Sequence, residues 1–193
     1  MDTSAFGKKY GPWALIAGAS EGIGEEFARQ LAAAGLNLVL IARRQAPLER
    51  LARALQSEHG VEGRCLPMDL GRADLYQAVE AGVADLEIGL LVYNACFSTI
   101  SPFLQTELAA KMTTVDVNCR GPLALVSLLA GPMSARRRGG IVLMSSASSL
   151  QGAALIATYA ATKAFNSILA ESLWEELRPH GVDVLALVAG ATS

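Results

Sequence analysis

Trp13-Ala14-Leu15-Ile16-Ala17-Gly18-Ala19-Ser20-Glu21-Gly22-Ile23-Gly24 is the stretch whose reading decides the fold. Trp13 to Ala17 is a short continuous apolar run, as expected of a strand covered on both faces. Ile23 to Ala34 then shows helical spacing, and Gly35 follows where a left-handed cap would sit. Between strand and helix the glycines fall as Gly-x-x-x-Gly-x-Gly. Gly18 permits a tight turn, while Gly22 and Gly24 let backbone approach a phosphate and let the helix pack on the strand. The helix start offers free amides and partial positive charge to a pyrophosphate. An ordinary glycine-rich turn is the plain alternative, and the strand–turn–helix setting argues against it.

The same alternation continues outward. Apolar runs at Asn37 to Ala42, Arg64 to Met68, Ile88 to Tyr93, Ile141 to Ser145 and Val182 to Val188 read as strands. Helical spacing covers Pro47 to Glu58, Ala73 to Ala84, Glu107 to Arg136 and Thr158 to Arg178. Six strands alternating with five helices predict an α/β fold, a doubly wound parallel sheet with helices on both faces. No repeat or linker divides residues 1–193, so one domain is expected. The 52% hydrophobic and 18% charged composition suits a sheet buried on two sides. Pro47 fits a first helical turn and Pro179 stops the last helix. Pro122 falls inside the fourth helix, which should kink or lose a backbone bond near Asn118. Arg136-Arg137-Arg138 reads as a solvated helix end, with a binding patch as the alternative.

Bulk properties narrow the function. A net charge of -2 gives no electrostatic reason to expect nucleic acid or an anionic membrane as partner. Cys65, Cys96 and Cys119 are odd in number and widely spaced, which favours reduced thiols over a disulfide frame or zinc site. The first ten residues lack the apolar stretch of a signal peptide, and no run is long enough to span a bilayer. The expectation is a cytoplasmic, metal-free protein. His59 and His180 sit beside glycines near helix ends, where capping or solvation is the default.

The end of the second strand selects the cofactor. A carboxylate there binds a ribose 2′-hydroxyl, whereas arginine accommodates a 2′-phosphate. The chain reads Leu40-Ile41-Ala42-Arg43-Arg44, so NADP is expected over NAD, with Arg43 the main phosphate contact; the alternative is a pair of solvated loop arginines. Asp69 could accept from an adenine amino group or serve as a helix N-cap. Asn94-Ala95 ends the fourth strand, at the carboxyl edge where ligands bind in such sheets.

Downstream, Ser146 precedes Tyr159, and Tyr159 and Lys163 stand at i and i+4 on one helical face. Tyr-x-x-x-Lys alone is weak; joined to the glycine turn it is strong. The chain resembles the short-chain dehydrogenase/reductase family from about Trp13 onward. Ala17-Gly18-Ala19-Ser20-Glu21-Gly22-Ile23-Gly24 resembles its cofactor turn, Tyr93-Asn94-Ala95-Cys96 its Asn-Asn-Ala-Gly stretch, and Asn118, Ser146, Tyr159 and Lys163 its catalytic tetrad. The resemblance implies a Rossmann-like oxidoreductase transferring hydride between NADP(H) and a ketone or secondary alcohol. Free tyrosine titrates at about 10, and a nearby ammonium favours its phenolate, which suits Tyr159 to acid/base work. The resemblance further gives Lys163 the nicotinamide ribose, Ser146 the substrate oxygen and Asn118 a water relay. It places Gly18, Ser20, Gly22, Ile23, Gly24, Arg43, Arg44, Asp69, Leu70, Asn94 and Ala95 at the cofactor, with Tyr159 and Lys163. For Asn118 taken alone, a buried asparagine satisfied by backbone is the alternative.

Ala17, Cys96 and Ala189 depart from the family's threonine, glycine and proline. Cys96 adds a side chain where backbone passes near the cofactor. Family members continue beyond Ala189-Gly190 into a substrate loop, a helix and a strand, so a truncated form with an open apolar edge at Val182 to Val188 is expected. Phe97, Leu150 and Leu155 are candidates for a substrate pocket or for core. Family members pair through the fourth and fifth helices, and Leu123, Leu125, Leu128 and Leu169 suggest a homodimer or homotetramer. A non-catalytic nucleotide sensor or scaffold is the alternative function. A methyltransferase is disfavoured by the arginines after the second strand. Lipidic, steroid, sugar and small aliphatic carbonyls all stay open as substrates.

Overall fold

The structure is a computed structural model and describes residues 3–190; the first two and last three residues of the expected domain lie outside the described residues. Its strands are β1 (Trp13–Ala17), β2 (Asn37–Ala42), β3 (Gly63–Pro67), β4 (Ile88–Tyr93), β5 (Gly139–Ser146) and β6 (Val182–Ala189). They form one sheet in the order β3-β2-β1-β4-β5-β6, and every neighbouring pair is parallel. This is the expected doubly wound α/β fold. The winding reverses between β1 and β4, which opens a crevice beyond their carboxyl ends.

The helices are α1 (Thr3–Tyr10), α2 (Gly22–Ala33), α3 (Gln45–His59), α4 (Leu75–Val83), α5 (Leu108–Val115), α6 (Gly121–Ala135) and α7 (Ala157–Leu177). Successive side chains of β1 point to opposite faces. Leu15 and Ala17 join a core built with Leu75 and Val79 of α4, Leu125 and Leu129 of α6 and Ala170 of α7. Ala14 and Ile16 join the opposite core with Ala28 and Leu31 of α2 and Leu48, Leu51 and Leu55 of α3. Both faces are therefore covered, so β1 and β4 are buried at every position and carry no polar alternation.

The single helix expected over Glu107 to Arg136 is divided. A π-helical turn, Asp116–Arg120, joins α5 to α6, and the Gly121 N–H reaches back five residues to the Asp116 carbonyl. Pro122 has no N–H, so in that register the Val117 carbonyl loses its helical partner. The buried Tyr93 hydroxyl donates to it at 2.7 Å. The expected irregularity near Asn118 is present, and Pro122 accounts for it.

Three expectations are corrected. Helix α4 begins at Leu75, with Asp74 preceding it, so Asp69 is not its cap; the Asp69 carboxylate accepts instead from the Gly71 N–H at 2.8 Å. The arginines after α6 are anchored as well as solvated: Arg136 is largely buried and donates to the Ile88 carbonyl, while the more exposed Arg137 and Arg138 donate to the Pro179 carbonyl at 2.9 Å and the Lys8 carbonyl at 2.8 Å. Leu125 is fully buried in the chain's own core and Leu128 and Leu169 pack against it, leaving only Leu123 of that set exposed.

Helix α1 is absent from the sequence expectations. It lies under the amino ends of β4 and β5, where a Cβ on Gly89 would come within 2.4 Å of the Tyr10 and Gly11 carbonyl oxygens. Tyr10 donates to Asp183 of β6, and Lys9 pairs with the same carboxylate. Among the described residues β6 is an outer strand of the sheet, with Leu185 and Val188 exposed.

Candidate active site

The turn between β1 and α2 is built around Gly18, whose φ of +85° excludes most side chains. Its N–H donates to the Ile41 carbonyl at 2.8 Å, and the Asn94 amide donates to its carbonyl at 3.0 Å. A Cβ on Gly24 would lie 1.9 Å from that same carbonyl, so Gly24 serves the close packing of α2 on the turn. Gly22 differs. It has a φ of +58°, and a Cβ there would meet nothing within 4 Å. Glu21, preceding α2, makes no side-chain capping bond to the helix's first amides.

A cavity of about 340 Å³ opens beside this turn. Of the expected cofactor residues, Gly18, Ser20, Ile23, Arg43, Arg44, Asp69, Leu70, Asn94 and Ala95 line it, while Gly22 and Gly24 do not. Sequence reasoning missed Glu21, Ala42, Met68, Thr113 and Val117 in the wall and offered Phe97 to a substrate pocket instead, while Cys96 lies at the cofactor side as expected. Glu21 carried a legible signal, since it is the charged residue inside the turn. Its carboxylate accepts from Arg44 at 2.8 Å across the cavity mouth, both side chains being largely exposed. Among the described residues Arg43 has no ion-pair or hydrogen-bond partner, so its guanidinium is free for an incoming anion.

The four tetrad side chains do not line that cavity. Ser146 ends β5, and Tyr159 and Lys163 project from the first turns of α7. Lys163 is 3% exposed, and its Nζ donates to the Met144 carbonyl at 2.8 Å. Burial holds this amine below the usual lysine range, partly opposed by the Cys96 and Cys119 thiols nearby. Its Nζ lies 5.6 Å from the centre of the Tyr159 ring. Two of its three N–H donors stay available after the Met144 bond. The Ser146 Oγ accepts from the Ser148 N–H at 3.2 Å. Cys119 is half-buried and its thiol is pushed up to about 11 by burial, with Lys163 pulling the other way.

Asn118 is wholly buried in the π-helical turn. Its side-chain oxygen accepts from the Phe97 N–H at 2.8 Å, and its amide donates to the Phe97 carbonyl at 2.9 Å and to the Thr162 hydroxyl at 3.0 Å. The side chain thus clamps the irregular segment after β4, the arrangement held open above as the alternative. Phe97 lines the nucleotide-sized cavity, Leu155 lines a small recess that includes Tyr159, Phe103 and Ile156, and Leu150 is exposed and lines neither. Among the described residues no group of three His, Cys, Asp or Glu could hold a metal.

This geometry has close relatives. A family model described as short chain dehydrogenase matches residues 12–193. A very-long-chain 3-oxoacyl-CoA reductase of Podospora anserina is 39% identical over 189 residues, 95% of this chain and 55% of that protein. A 7beta-hydroxysteroid dehydrogenase of Clostridium sardiniense is 34% identical over 187 residues, 97% of this chain and 72% of that protein. A short-chain dehydrogenase from Sphingobium yanoikuyae, solved in complex with NADPH, superposes with a TM-score of 0.90 at 34% identity, covering 94% of this chain and 72% of that one. The chain spans little more than half the length of the fungal reductases that it matches. With the matched region, the parallel sheet and the glycine turn in agreement, the chain belongs to the short-chain dehydrogenase family.

Proposed function

We propose that this protein is an NADP-dependent oxidoreductase that interconverts a carbonyl and a secondary alcohol. The observation that carries the reading is the Lys163 ammonium beside the Tyr159 ring, on the helix that follows the strand ending at Ser146. The residues present fit a dinucleotide. Open space stands over Gly22, the first amides of α2 take no capping bond from Glu21, and Arg43 is free at the cavity mouth. A bound nicotinamide supplies the hydride. Tyr159 then holds the proton that the developing alkoxide takes, and Lys163 stabilises the phenolate left behind. Ser146 donates to the substrate oxygen as charge gathers there. Gly18, Ser20, Ile23, Asp69, Leu70, Asn94 and Ala95 form the wall that orients the nucleotide, with Gly22 and Gly24 shaping the turn. Arg43, helped by Arg44, favours the 2′-phosphate of NADP over the bare ribose of NAD. The NADPH bound by the Sphingobium relative points the same way.

The relatives act, by their names, on a 3-oxoacyl thioester and a hydroxysteroid, which favours a bulky apolar carbonyl here. Residues 1–193 are read as one catalytic unit, and a homodimer or homotetramer is proposed from the exposed Leu108, Met112, Val115 and Leu123 along α5 and α6. Light scattering that returns a monomer at micromolar concentration contradicts the assembly. Three free thiols fit a reducing, cytoplasmic compartment. Tyr159→Phe tests the function: it is expected to abolish carbonyl reduction while NADPH still binds. A variant that keeps wild-type turnover overturns the assignment, and a wild-type protein that binds nucleotide without turnover favours a sensor or scaffold.

A further inference from the structure

Two hydroxyls flank Ser146 in sequence, and both meet the same residue of α7. Ser145 Oγ lies 2.7 Å and Ser149 Oγ 3.3 Å from Ser167 Oγ; with the Ser145 proton on the Lys163 carbonyl, Ser167 gives its one proton to Ser145 or to Ser149. Ser145 also donates to the Lys163 carbonyl at 2.9 Å, one helical turn before Ser167. Ser145 is only 3% exposed, so these contacts take the place of water. The short helical turn Ala147–Ser149 is the piece being held, and its Ser148 N–H fixes the Ser146 Oγ at 3.2 Å. Met144, the next residue back along β5, receives the Lys163 ammonium. Ser167 therefore contacts hydroxyls on both sides of Ser146 from the helix that carries Tyr159 and Lys163.

We propose that Ser167 is a positioning residue, bracing Ser145 and Ser149 so that the Ser146 hydroxyl keeps its place relative to Tyr159 and Lys163. The proposal rests on the oxidoreductase reading above. Ser167 lines neither of the two cavities described above. It acts by fixing the register between β5, the turn after it and α7, because the Ser146 rotamer is set by an amide of a turn that Ser167 anchors. Small displacements of an oxygen-stabilising donor cost rate rather than nucleotide affinity.

The test compares Ser167→Ala and Ser167→Thr in the full chain. The readouts are carbonyl reduction with NADPH, NADPH titration calorimetry and amide hydrogen exchange. Ser167→Ala is expected to lower kcat about tenfold, the effect of about one hydrogen bond's worth of misplacement, with NADPH affinity within about twofold. Amides of residues 146–150 are expected to exchange about tenfold faster, with the rest of the sheet unchanged. Ser167→Thr, which keeps the hydroxyl, is expected to restore both. Wild-type kcat or wild-type exchange in Ser167→Ala overturns the proposal, as does a threonine variant no better than alanine. Failure of the oxidoreductase reading shows separately, as a wild-type chain without turnover. The exchange comparison then decides alone, since unchanged protection at 146–150 overturns the brace and threonine-restored protection supports it.

Discussion

A Cβ placed on Gly121 would lie 2.0 Å from the Tyr93 hydroxyl, so the phenol and the start of α6 fit only because residue 121 has no side chain. The contact is forced by chemistry on both sides. Pro122 leaves the Val117 carbonyl without a helical donor, and Tyr93 must come close to supply one. Gly121→Ala is accordingly expected to destabilise the fold by about 2–3 kcal/mol through overpacking. Tyr93→Phe alone strands the carbonyl and costs about 1–3 kcal/mol. The double variant should cost less than the sum, because phenylalanine removes the clashing oxygen. Urea midpoints for the three variants check this, and simple additivity sinks the steric account.

At the cavity mouth Arg43 is free while Arg44 is held by Glu21. A 2′-phosphate must compete with that carboxylate. Glu21→Gln is expected to tighten NADPH about threefold, the scale of an exposed ion pair, and to leave NADH nearly unchanged. Arg43→Ala is expected to weaken NADPH about tenfold through a lost charge-assisted contact. Calorimetry with both nucleotides reads each effect. An Arg43→Ala chain with undiminished preference for NADPH removes arginine from the selectivity.

What was legible in the sequence was what local chemistry dictates. Gly18, Gly22 and Gly24 announce the turn because strand, turn and helix adjoin within a dozen residues, and Pro122 announces the helix defect because a missing N–H acts on carbonyls one turn away. What escaped depends on partners distant in the chain. Helix α1 owes its place to Asp183 and Arg138, more than a hundred residues on, and to the absence of side chains at Gly89 and Gly140. Phe97 was open as pocket or core; its clamp by Asn118 spans 21 residues and the whole of α5. The tetrad itself was found through spacing in a family pattern, not through any property of Ser146 that distinguishes it from Ser145, Ser148 or Ser149.

Asn118 satisfies both backbone groups of Phe97 and the Thr162 hydroxyl from inside the π-helical turn. Removing it leaves several buried polar groups unpaired at once. Asn118→Ala is expected to cost about 2–4 kcal/mol of stability and to loosen nucleotide binding, since Phe97 lines the cavity. Thermal melts with and without NADPH measure both. A variant with full stability and lowered kcat alone points instead to a relay role confined to chemistry.

Compared with a lysine raised by an ion pair, such as Lys9, Lys163 links stability to pH in the opposite direction. Its pKa is depressed in the fold, first because it is buried, so in the window from that lowered value up to its ordinary 10.5 the unfolded chain binds more protons than the native one. Stability then rises with pH across the window through this group, since native Lys163 gives up its costly charge. Lys163→Met removes the cost and with it the Met144 hydrogen bond, for a net gain expected at about 1 kcal/mol near neutrality. The same change removes the cation beside Tyr159 and is expected to abolish turnover. Urea melts of both proteins at pH 8 and at pH 10 decide the matter. The gap between them should narrow at the higher pH, and a gap that widens, or a variant less stable at pH 8, shows that the buried ammonium stabilises the fold rather than straining it.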